Sequence, residues 1–509
     1  MKLLDIIKGI ELKKAAGNMA CEITDIAYDS RSVSQGTLFA AIKGLKTDGN
    51  LFIKNALEKG AAAILAEHEP AGITIPAGVP IIITADTRTA VAVAAVNFFK
   101  NPSHELSVIG ITGTNGKTTT SYLIRSILEN AGRKTGLSGT IFWSDGNSIS
   151  EAEHTTPEAV DFQRLLRKMA DNGCTFAVTE VSSHSLALNR VYGTDFRTAV
   201  FTNLTQDHLD FHADMEDYFQ AKSLLFSGMS SDHTSVINSD DPYGRRLLEM
   251  SICRTFSYGL DSNADIRGEN VSLTIEGIEF DLSAPAGHTH IKSNLVGIHN
   301  VYNILAAAGA ALSNNIPLEK IASGILSVTS VPGRFERIDS GLGFSIVVDY
   351  AHTEDALRLL LEAARQFSPK RIITVFGCGG DRDRGKRPAM GSTAVELSDY
   401  VIVTSDNPRS EDPEEIIREI VSGINSAMEN GVARTSGYVT IPDRRLAIEE
   451  AVRKAEKGDI VLIAGKGHED YQITGQEKIH FDDREEAKRA ASCRIGSAHN
   501  GVRKPRLSR

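Results

Sequence analysis

The chain has 509 residues, of which 41% are hydrophobic and 24% are charged, and this is the composition of an ordinary globular protein. Its length exceeds what one hydrophobic core supports, so we expect about two to four domains. The net charge of −10 argues against a nucleic acid as the main partner, because no overall basic balance is available for a phosphate backbone.

The N-terminal part of the chain predicts a small α/β unit. Its opening segment, MKLLDIIKGIELKK, is too short and too interrupted by charge for a signal peptide, and no apolar run approaches the length of a membrane span. The 5 cysteines are scattered without metal-ligand spacing, which indicates reduced thiols. We therefore expect a cytoplasmic protein with no membrane partner. Its first domain would cover residues 1–105 and end near the turn Asn101-Pro102-Ser103.

The segment LSVIGITGTNGKTTTSYLIRSIL, which starts at Leu106, predicts a buried strand, a glycine turn and an amphipathic helix. The usual phosphate loop, G-x-x-x-x-G-K-[ST], needs a glycine where this chain has Ile111, and the shorter run from Gly113 to Thr118 takes its place. A helix N-terminus after the turn would direct backbone N–H groups and its positive dipole end at a phosphate. Lys117 would reach the terminal phosphates and Thr118 a Mg²⁺ ion. The alternative is a structural turn that binds nothing.

Further along the chain, apolar strands alternate with helical stretches, which is typical of parallel α/β sheets. Polar clusters follow these strands, at the edge where open α/β sheets bind ligands. The clusters contain Glu180, Ser182 and His184; Asn203, Asp207 and His208; Asp349 and His352; Arg382; Asp406 to Arg409; and Gly465 to Glu469. The Pro332-Gly333 pair divides them into two groups and predicts a hinge. We infer two doubly wound domains, residues 106–332 and 333–495, and a disordered basic tail at residues 496–509.

A series of short motifs covers nearly the whole chain. They are DSRSV, GTNGKTTT, HTTPE, EVSSHSLALNRV, TNLTQDHLDFH, DYFQAKSLLF, GIHNVYN, PGRFE, DYAHT, GCGGDRDRGKRP, DNPRSEDP and GKGHE. In this order they resemble the Mur ligase family, whose compact G-T-N-G-K-T loop accounts for Ile111. The resemblance implies a small N-terminal α/β substrate domain, a central phosphate-loop ATPase-like domain with a parallel sheet, and a C-terminal Rossmann-like domain. It also implies an ATP-dependent ligase of peptidoglycan precursor synthesis, which joins an amine to a carboxylate through an acyl phosphate.

The resemblance implies ATP as the co-substrate, together with two Mg²⁺ ions. Lys117 would balance charge during phosphoryl transfer, and Thr118 and Glu180 would bind the first Mg²⁺. The residues implied for ATP binding are Gly113, Thr114, Asn115, Gly116, Lys117, Thr118 and Thr119 in the loop, and Asn300, Arg334, Asp349 and His352 elsewhere. The family's usual proline after YAHT is Glu354 in this chain, a departure that concerns the turn.

Lys222, in DYFQAKSLLF, has a role that the residue pattern alone does not indicate. By pattern, a lone lysine on a helix is a solvated charge and His208 is a capping or core histidine. The resemblance implies instead that Lys222 carries a carbamate, N6-carboxylysine, formed with CO₂. This group would be an anionic oxygen ligand of the second Mg²⁺, with His208 as the other protein ligand.

The acceptor implied by the resemblance is the nucleotide-sugar dipeptide UDP-N-acetylmuramoyl-L-alanyl-D-glutamate. Ser30 in the first domain would contact its uridine end. The residues implied for the sugar and the peptide are Thr155, Thr156, Ser182 and Arg190. The planar guanidinium of Arg190 suits a carboxylate. Family members often have a glutamine where this chain has Leu188, a departure from the family pattern at this contact.

The incoming amino acid implied by the resemblance is meso-diaminopimelate. The residues implied for it are Arg382, Asp406, Asn407, Pro408, Arg409, Gly465 and Glu469. Diaminopimelate has a second ammonium and carboxylate at its far end, so Arg409 could pair with that carboxylate and Glu469 with the ammonium. Lysine-adding relatives lack this arginine, because lysine has no distal carboxylate. Arg409 therefore favours the diaminopimelate-adding members over the alternative, a sister ligase that adds L-lysine.

Other classes of protein remain as alternatives. A phosphate-loop kinase or NTPase without ligation would leave the Asp-Asn-Pro-Arg cluster unexplained. A sister ligase for folate or lysine is opposed by Arg409, and a non-catalytic nucleotide-binding regulator by the set Lys117, Glu180, His208 and Lys222. We expect a monomer whose two larger domains close at the hinge when both substrates bind.

Overall fold

The computed structural model describes residues 1–44, 47–70, 72–261, 263–274 and 276–500, with side chains as far as residue 495. Within these residues there are three large β-sheets and a separate hairpin. None of the helices in these ranges has the apolar length that a bilayer crossing requires. The predicted α/β class with parallel sheets is confirmed.

The N-terminal sheet has the strand order β1-β5-β4-β3-β2, in which β1 is antiparallel to β5 and the other pairs are parallel. Its strands are β1 Leu12–Ala16, β2 Asp25–Ala27, β3 Thr37–Ala40, β4 Ala63–Ala66 and β5 Ile81–Thr84. The accompanying helices are α1 Leu3–Ile6, α2 Ile53–Glu58 and α3 Thr87–Phe98. Strands β3 and β4 are buried along their whole length, which explains why they read as short apolar runs without alternation.

The central sheet has the order β16-β15-β14-β13-β12-β11-β6-β10-β7-β8-β9. Its strands are β6 Ser107–Thr112, β7 Thr135–Ser138, β8 Phe142–Ser144, β9 Ile149–Glu151, β10 Phe176–Glu180, β11 Phe196–Phe201, β12 Thr234–Asn238, β13 Arg254–Gly259, β14 Ile266–Thr274, β15 Gly277–Ala284 and β16 Gly287–Ser293. Its helices are α4 Lys117–Asn130, α5 Ala159–Asp171, α6 Ser183–Ala187, α7 Met215–Ser227, α8 Pro242–Met250, α9 Ile298–Ser313 and α10 Leu318–Leu326. Neighbouring strands are parallel throughout the series β14-β13-β12-β11-β6-β10-β7. Antiparallel strands extend the sheet at both ends, β15 and β16 beside β14, and β8 and β9 beside β7.

Strand β6 lies in the middle of the parallel part, with β10 on one side and β11 on the other. The chain passes from β6 to β7, returns to β10 and then crosses to β11, so the winding direction reverses at β6. Such a reversal opens a crevice at the carboxyl ends of the strands. The glycine loop after β6, Glu180 at the end of β10 and the segment after β11 therefore meet at one edge.

The C-terminal sheet has the order β17-β18-β22-β19-β20-β21, in which β17 is antiparallel to β18 and the other pairs are parallel. Its strands are β17 Glu336–Asp339, β18 Ser345–Asp349, β19 Ile372–Phe376, β20 Tyr400–Val403, β21 Tyr438–Thr440 and β22 Ile460–Ala464. The hairpin is β23 Tyr471–Thr474 and β24 Glu477–His480. The helices are α11 Glu354–Gln366, α12 Lys386–Leu397, α13 Pro413–Glu429, α14 Arg444–Lys454 and α15 Asp483–Asn500. Apolar cores fill both faces of this sheet.

The domain boundaries that we placed at residues 105 and 332 fall in the connections before β6 and before β17. They stay predictions. The tail predicted from residue 496 overlaps the end of α15, which continues to Asn500. Residues 501–509 lie outside the described residues.

Candidate active site

The glycine loop joins β6 to α4 and is held by the segment after β11. Gly113 has a φ of +150°, and a Cβ there would lie 1.9 Å from Thr202 Oγ1, so no other residue fits without a shift. The N–H of Thr114 donates to the Asn203 carbonyl at 2.9 Å, and the N–H of Asn115 donates to Asn203 Oδ1 at 2.9 Å. A short loop thus gains the rigidity that a phosphate cradle needs.

Lys117 and Glu180 meet at the start of α4. Lys117 Nζ donates to the carbonyls of Gly113 and Thr114, both at 2.8 Å, and burial lowers the pKa of this lysine. Thr118 Oγ1 donates to Glu180 Oε2 at 2.9 Å, and Glu180 is fully buried. A hydroxyl and a carboxylate oxygen therefore lie side by side where the sequence predicts Mg²⁺ ligands, and both are the hard oxygen donors that this ion prefers.

Lys222 lies beneath the same loop and is only 1% exposed. The interpretation of Lys222 as an ordinary solvated helix charge is therefore wrong, because α7 turns this side chain into the protein. Its Nζ donates to the Gly113 carbonyl at 2.8 Å and lies 4.5 Å from the centre of the Tyr218 ring. Burial, and then the neighbouring Lys117, hold the pKa of Lys222 well below its usual value. The amino groups of Lys117 and Lys222 thus share the Gly113 carbonyl oxygen.

His208 lies across the crevice in the segment after β11. Its Nε2 is 3.5 Å from Asp207 Oδ2, and its φ of +56° places it in the left-handed region. Burial lowers the pKa of His208 to about 3, so its imidazole is neutral at physiological pH and free to donate a lone pair. Within the described ranges, no cluster of three or more His, Cys, Asp or Glu side chains has a metal-binding arrangement.

A cavity of about 420 Å³ lies between the central and C-terminal sheets, with the glycine loop at one end. Every residue predicted for ATP lines this cavity except Gly113, which is the buried first residue of the loop. Arg334 stacks on Tyr350 with its guanidinium carbon 4.6 Å from the ring centre, and it donates to Thr118 Oγ1 at 3.3 Å. Its Nε is buried and has no hydrogen-bond partner among the residues that the structure describes, which leaves one donor for a bound anion.

Asp349 and His352 lie at the wall that the C-terminal sheet contributes. The Asp349 carboxylate accepts from the N–H of Phe335 at 2.6 Å and from that of Ala351 at 2.7 Å. Burial raises the pKa of Asp349 and lowers the pKa of His352 to about 4. Glu354 begins α11 behind the Thr353 cap and accepts from Arg358, so the turn forms without the usual proline.

A second cavity of about 460 Å³ lies at the carboxyl edge of the C-terminal sheet. Of the residues predicted for the amino acid, Arg382, Asp406, Asn407, Arg409, Gly465 and Glu469 line it, and Pro408 does not. Gly465 has a φ of +116°, and a Cβ there would lie 2.6 Å from Asp406 Oδ2. Arg382 is exposed, and its Nη1 donates to the Asp381 carbonyl at 3.1 Å.

Arg409 has a left-handed backbone that the hairpin holds in place. Its φ is +52°, its N–H donates to the Ile473 carbonyl at 3.1 Å, and its own carbonyl accepts from Gly475 at 2.6 Å. Its Nη1 donates to the Gly380 carbonyl at 2.8 Å. Burial, and then the neighbouring Asp406, raise the pKa of Glu469. The cavity thus presents side chains of both charges, among them the Arg409 guanidinium and the Asp406 and Glu469 carboxylates, as a ligand with both charges requires.

The two cavities share a wall. Thr140, Thr155, Asp207, His208, Tyr350 and His352 line both of them. A phosphoryl group at the glycine loop and an amino group in the second cavity would therefore approach each other across this wall.

Comparison with known proteins gives the family. Three family descriptions match successive parts of the chain: "Mur ligase family, catalytic domain" at residues 22–99, "Mur ligase middle domain" at 111–311, and "Mur ligase, glutamate ligase domain" at 333–467. A relative from Clostridium acetobutylicum, named UDP-N-acetylmuramoyl-L-alanyl-D-glutamate--2,6-diaminopimelate ligase 1, is 45% identical over 95% of this chain and 98% of its own. The chain belongs to the Mur ligase family.

Further relatives agree with this assignment. A protein of Listeria monocytogenes, named UDP-N-acetylmuramoyl-L-alanyl-D-glutamate--2,6-diaminopimelate ligase, is 43% identical over 98% of this Mur ligase and 100% of its own chain. A solved structure described by the same name is 33% identical, has a TM-score of 0.67, and covers 97% of this chain and 99% of its own. The resemblance drawn from the motifs and the expected three-domain fold are thereby confirmed.

The residues predicted for the sugar and the peptide lie beside Glu180 in this Mur ligase. Thr156 Oγ1 donates to the Glu180 carbonyl at 2.8 Å, and Arg190 Nη1 donates to the Thr156 carbonyl at 3.1 Å. Arg190 Nη2 is 2.7 Å from Glu158 Oε1. Four of the predicted residues thus come together, namely Thr155, Thr156, Ser182 and Arg190. Ser30 is in the N-terminal domain and lines neither cavity.

Sequence reasoning missed two residues of this region. Asp355, in the first turn of α11, accepts from Asn115 Nδ2 at 2.9 Å and from Thr205 Oγ1 at 3.1 Å, which connects the C-terminal domain to the glycine loop. Lys466 is fully buried behind the second cavity. The acidic start of a helix after DYAHT could have pointed to Asp355, whereas nothing in GKGHE indicates that its lysine is buried.

Proposed function

We propose that this chain is an ATP-dependent ligase that adds meso-2,6-diaminopimelate to UDP-N-acetylmuramoyl-L-alanyl-D-glutamate in cytoplasmic peptidoglycan precursor synthesis. The observation that carries the proposal is the wall shared by the two cavities, since it gives the phosphoryl donor and the amine a common place of reaction. The names of the relatives support the choice of substrates. We expect a monomer.

The reaction needs activation, because a carboxylate would have to lose oxide to form an amide. Transfer of the γ-phosphoryl group from ATP to the carboxylate forms an acyl phosphate and ADP. The amine then attacks the acyl carbon, phosphate leaves, and the amine loses its proton. Positioning and charge neutralisation do most of this work. Lys117 at the loop and Arg334 would neutralise the phosphoryl group, which the contact of Lys117 with the loop and the buried Arg334 Nε support.

The oxygen donors of this chain fit Mg²⁺. Thr118 and Glu180 would hold one ion, and His208 with a carbamylated Lys222 would hold a second. When bound, the ions would neutralise charge on the phosphate oxygens. Thr140 orients the Glu180 carboxylate by donating from Oγ1 at 2.9 Å and from its N–H at 3.0 Å.

Carbamylation of Lys222 by CO₂ has support from its surroundings. Only a neutral amine attacks CO₂, and burial beside Lys117 disfavours the charged form of Lys222. The product is an anion, which the positive charge of the neighbouring Lys117 would attract. The same modification would convert the residue from a donor into a metal ligand.

Selection of diaminopimelate is assigned to Arg409 and Glu469. The Arg409 guanidinium would pair with the distal carboxylate, and the Glu469 carboxylate with the distal ammonium. A sister ligase that adds L-lysine is the alternative, and the presence of Arg409 in the cavity disfavours it, because lysine would leave that guanidinium without a partner.

The test is ADP release with the UDP-linked dipeptide, ATP, Mg²⁺ and a panel of amino acids. We expect turnover with meso-diaminopimelate and a product lengthened by that residue, as measured by mass spectrometry. Equal turnover with L-lysine would overturn the substrate assignment. A phosphorylated dipeptide without amide formation would indicate a kinase, and no ADP release with all substrates present would indicate a regulator.

A further inference from the structure

Lys466 lies directly behind the second cavity but does not line it. Its side chain is 0% exposed, and its Nζ donates to Asn407 Oδ1 at 2.9 Å and to the Tyr471 carbonyl at 2.7 Å. The same Nζ is 3.7 Å from Asp406 Oδ1 and 3.6 Å from Glu469 Oε2. The Lys466 ammonium thus lies between two of the carboxylates that line the cavity, those of Asp406 and Glu469.

A buried ammonium is costly unless its donors are used and opposite charges surround it. Lys466 meets both conditions, so its positive charge acts on the carboxylates of Asp406 and Glu469 at the cavity wall. Another buried cation of this domain, Arg444, is paired with Asp483, whose carboxylate oxygens it contacts at 2.7 Å. The charge of Lys466 is therefore available to Asp406 and Glu469.

Lys466 also acts on the geometry of the cavity through Asn407. The Asn407 Oδ1 that accepts from Lys466 accepts from the N–H of Ile473 at 3.0 Å as well, and Asn407 Nδ2 donates to Glu469 Oε2 at 2.8 Å. Ile473 in turn accepts from the N–H of Arg409. One buried lysine is thus linked through Asn407 to the Glu469 side chain and, through Ile473, to the backbone of Arg409.

We propose that Lys466 is a positioning residue that sets the charge preference of the amino-acid cavity. The inference rests on the proposed function, because it takes this cavity to be the site of the incoming amino acid. The group formed by Lys466, Arg409, Asp406 and Glu469 has no net charge, which matches a distal centre that carries both an ammonium and a carboxylate. Without Lys466 this group carries one net negative charge, so this part of the cavity would favour an ammonium over a carboxylate.

The test uses three amino acids that differ in the charge of their distal end: meso-diaminopimelate is balanced, L-lysine is positive, and L-2-aminopimelate is negative. For each, kcat/KM is measured by ADP release, or an inhibition constant against diaminopimelate where turnover is slow. In Lys466→Met the preference for L-lysine over L-2-aminopimelate should rise at least roughly tenfold, as a unit charge about 6 Å away implies. Lys466→Arg is the matched control, since it keeps the charge and should keep the wild-type order.

Asp406→Asn provides the opposite change. It removes a negative charge, so the preference should move toward L-2-aminopimelate, and the double variant Lys466→Met/Asp406→Asn should return to the wild-type order. These two variants decide the matter if Lys466→Met does not fold. Equal losses for all three amino acids in Lys466→Met, or a shift of Asp406→Asn toward L-lysine, would show that Lys466 is merely structural and would overturn the inference. Failure of the proposed function would be seen in the wild type instead, as no turnover with any of the three, and would overturn both.

Discussion

Replacing Arg444 by methionine should strongly destabilise the C-terminal domain. Arg444 begins α14, and its guanidinium donates to both carboxylate oxygens of Asp483 at 2.7 Å, with both side chains fully buried. It also donates to the carbonyls of Ser405 at 3.3 Å and Ala464 at 2.9 Å. Methionine keeps much of the apolar volume but leaves the Asp483 carboxylate buried without its cation.

The size of the effect follows from that uncompensated charge. Removing one partner of a buried ion pair costs about 3–5 kcal/mol of the free energy of unfolding. In a domain of about 150–250 residues, each kcal/mol lowers Tm by about 2–4 °C, so the transition of this domain should fall by about 6–20 °C. Because Ser405 and Ala464 directly precede the cavity residues Asp406 and Gly465, KM for the amino acid should rise as well.

Differential scanning calorimetry of the wild type and the variant measures the effect. The control is the double variant Arg444→Met/Asp483→Leu, which removes both charges and should recover most of the lost stability, because apolar replacement of a buried pair is often close to neutral. The reasoning would be refuted by a Tm within about 2 °C of the wild type, or by a double variant as unstable as the single one.

Three further predictions concern ligation. Arg409→Ala should lower kcat/KM for diaminopimelate by about 30-fold to several-thousand-fold, as expected for loss of a pair worth about 2–5 kcal/mol, and should change that for lysine far less. Equal losses for both amino acids would contradict the role of Arg409. Lys222→Ala should abolish most ADP release, and short-chain carboxylates should partly restore it by supplying the missing oxygens; full activity without them would exclude the carbamate. An ATP analogue and the dipeptide together should give a more compact solution scattering profile, because both must lie between domains that meet at Asn115 and Asp355. An unchanged profile with both sites filled would count against closure.

The glycine loop shows which structural features can be predicted from neighbouring residues alone. A strand, a glycine turn and a helix start are specified by residues within a few positions of one another, so the segment around Gly113 could be placed before any fold was known. The clusters at the ends of strands, such as Asp406 to Arg409, followed from the same logic. Parallel strands bring their carboxyl ends to one edge whatever their order.

The burial of individual polar side chains, and the identity of their hydrogen-bond partners, could not be predicted from neighbouring residues. Lys222 and Lys466 occur in segments that read as ordinary polar sequence, yet both are among the fully buried side chains of the described residues. Their partners lie up to 109 positions away, and no periodicity reports which distant segments will meet. The contact between Asp355 and Asn115 spans 240 positions and has the same origin.

The sequence by itself determined the fold class, the family and the residue types available for chemistry, because strand and helix formation and motif order are properties of neighbouring residues. Only the tertiary structure decided that the two cavities share a wall at His208 and His352, that Lys222 contacts the Gly113 carbonyl of the glycine loop, and that Lys466 lies between Asp406 and Glu469. The physical reason is that dielectric surroundings and charge balance depend on every group within several ångströms, and packing across the domains decides which groups those are.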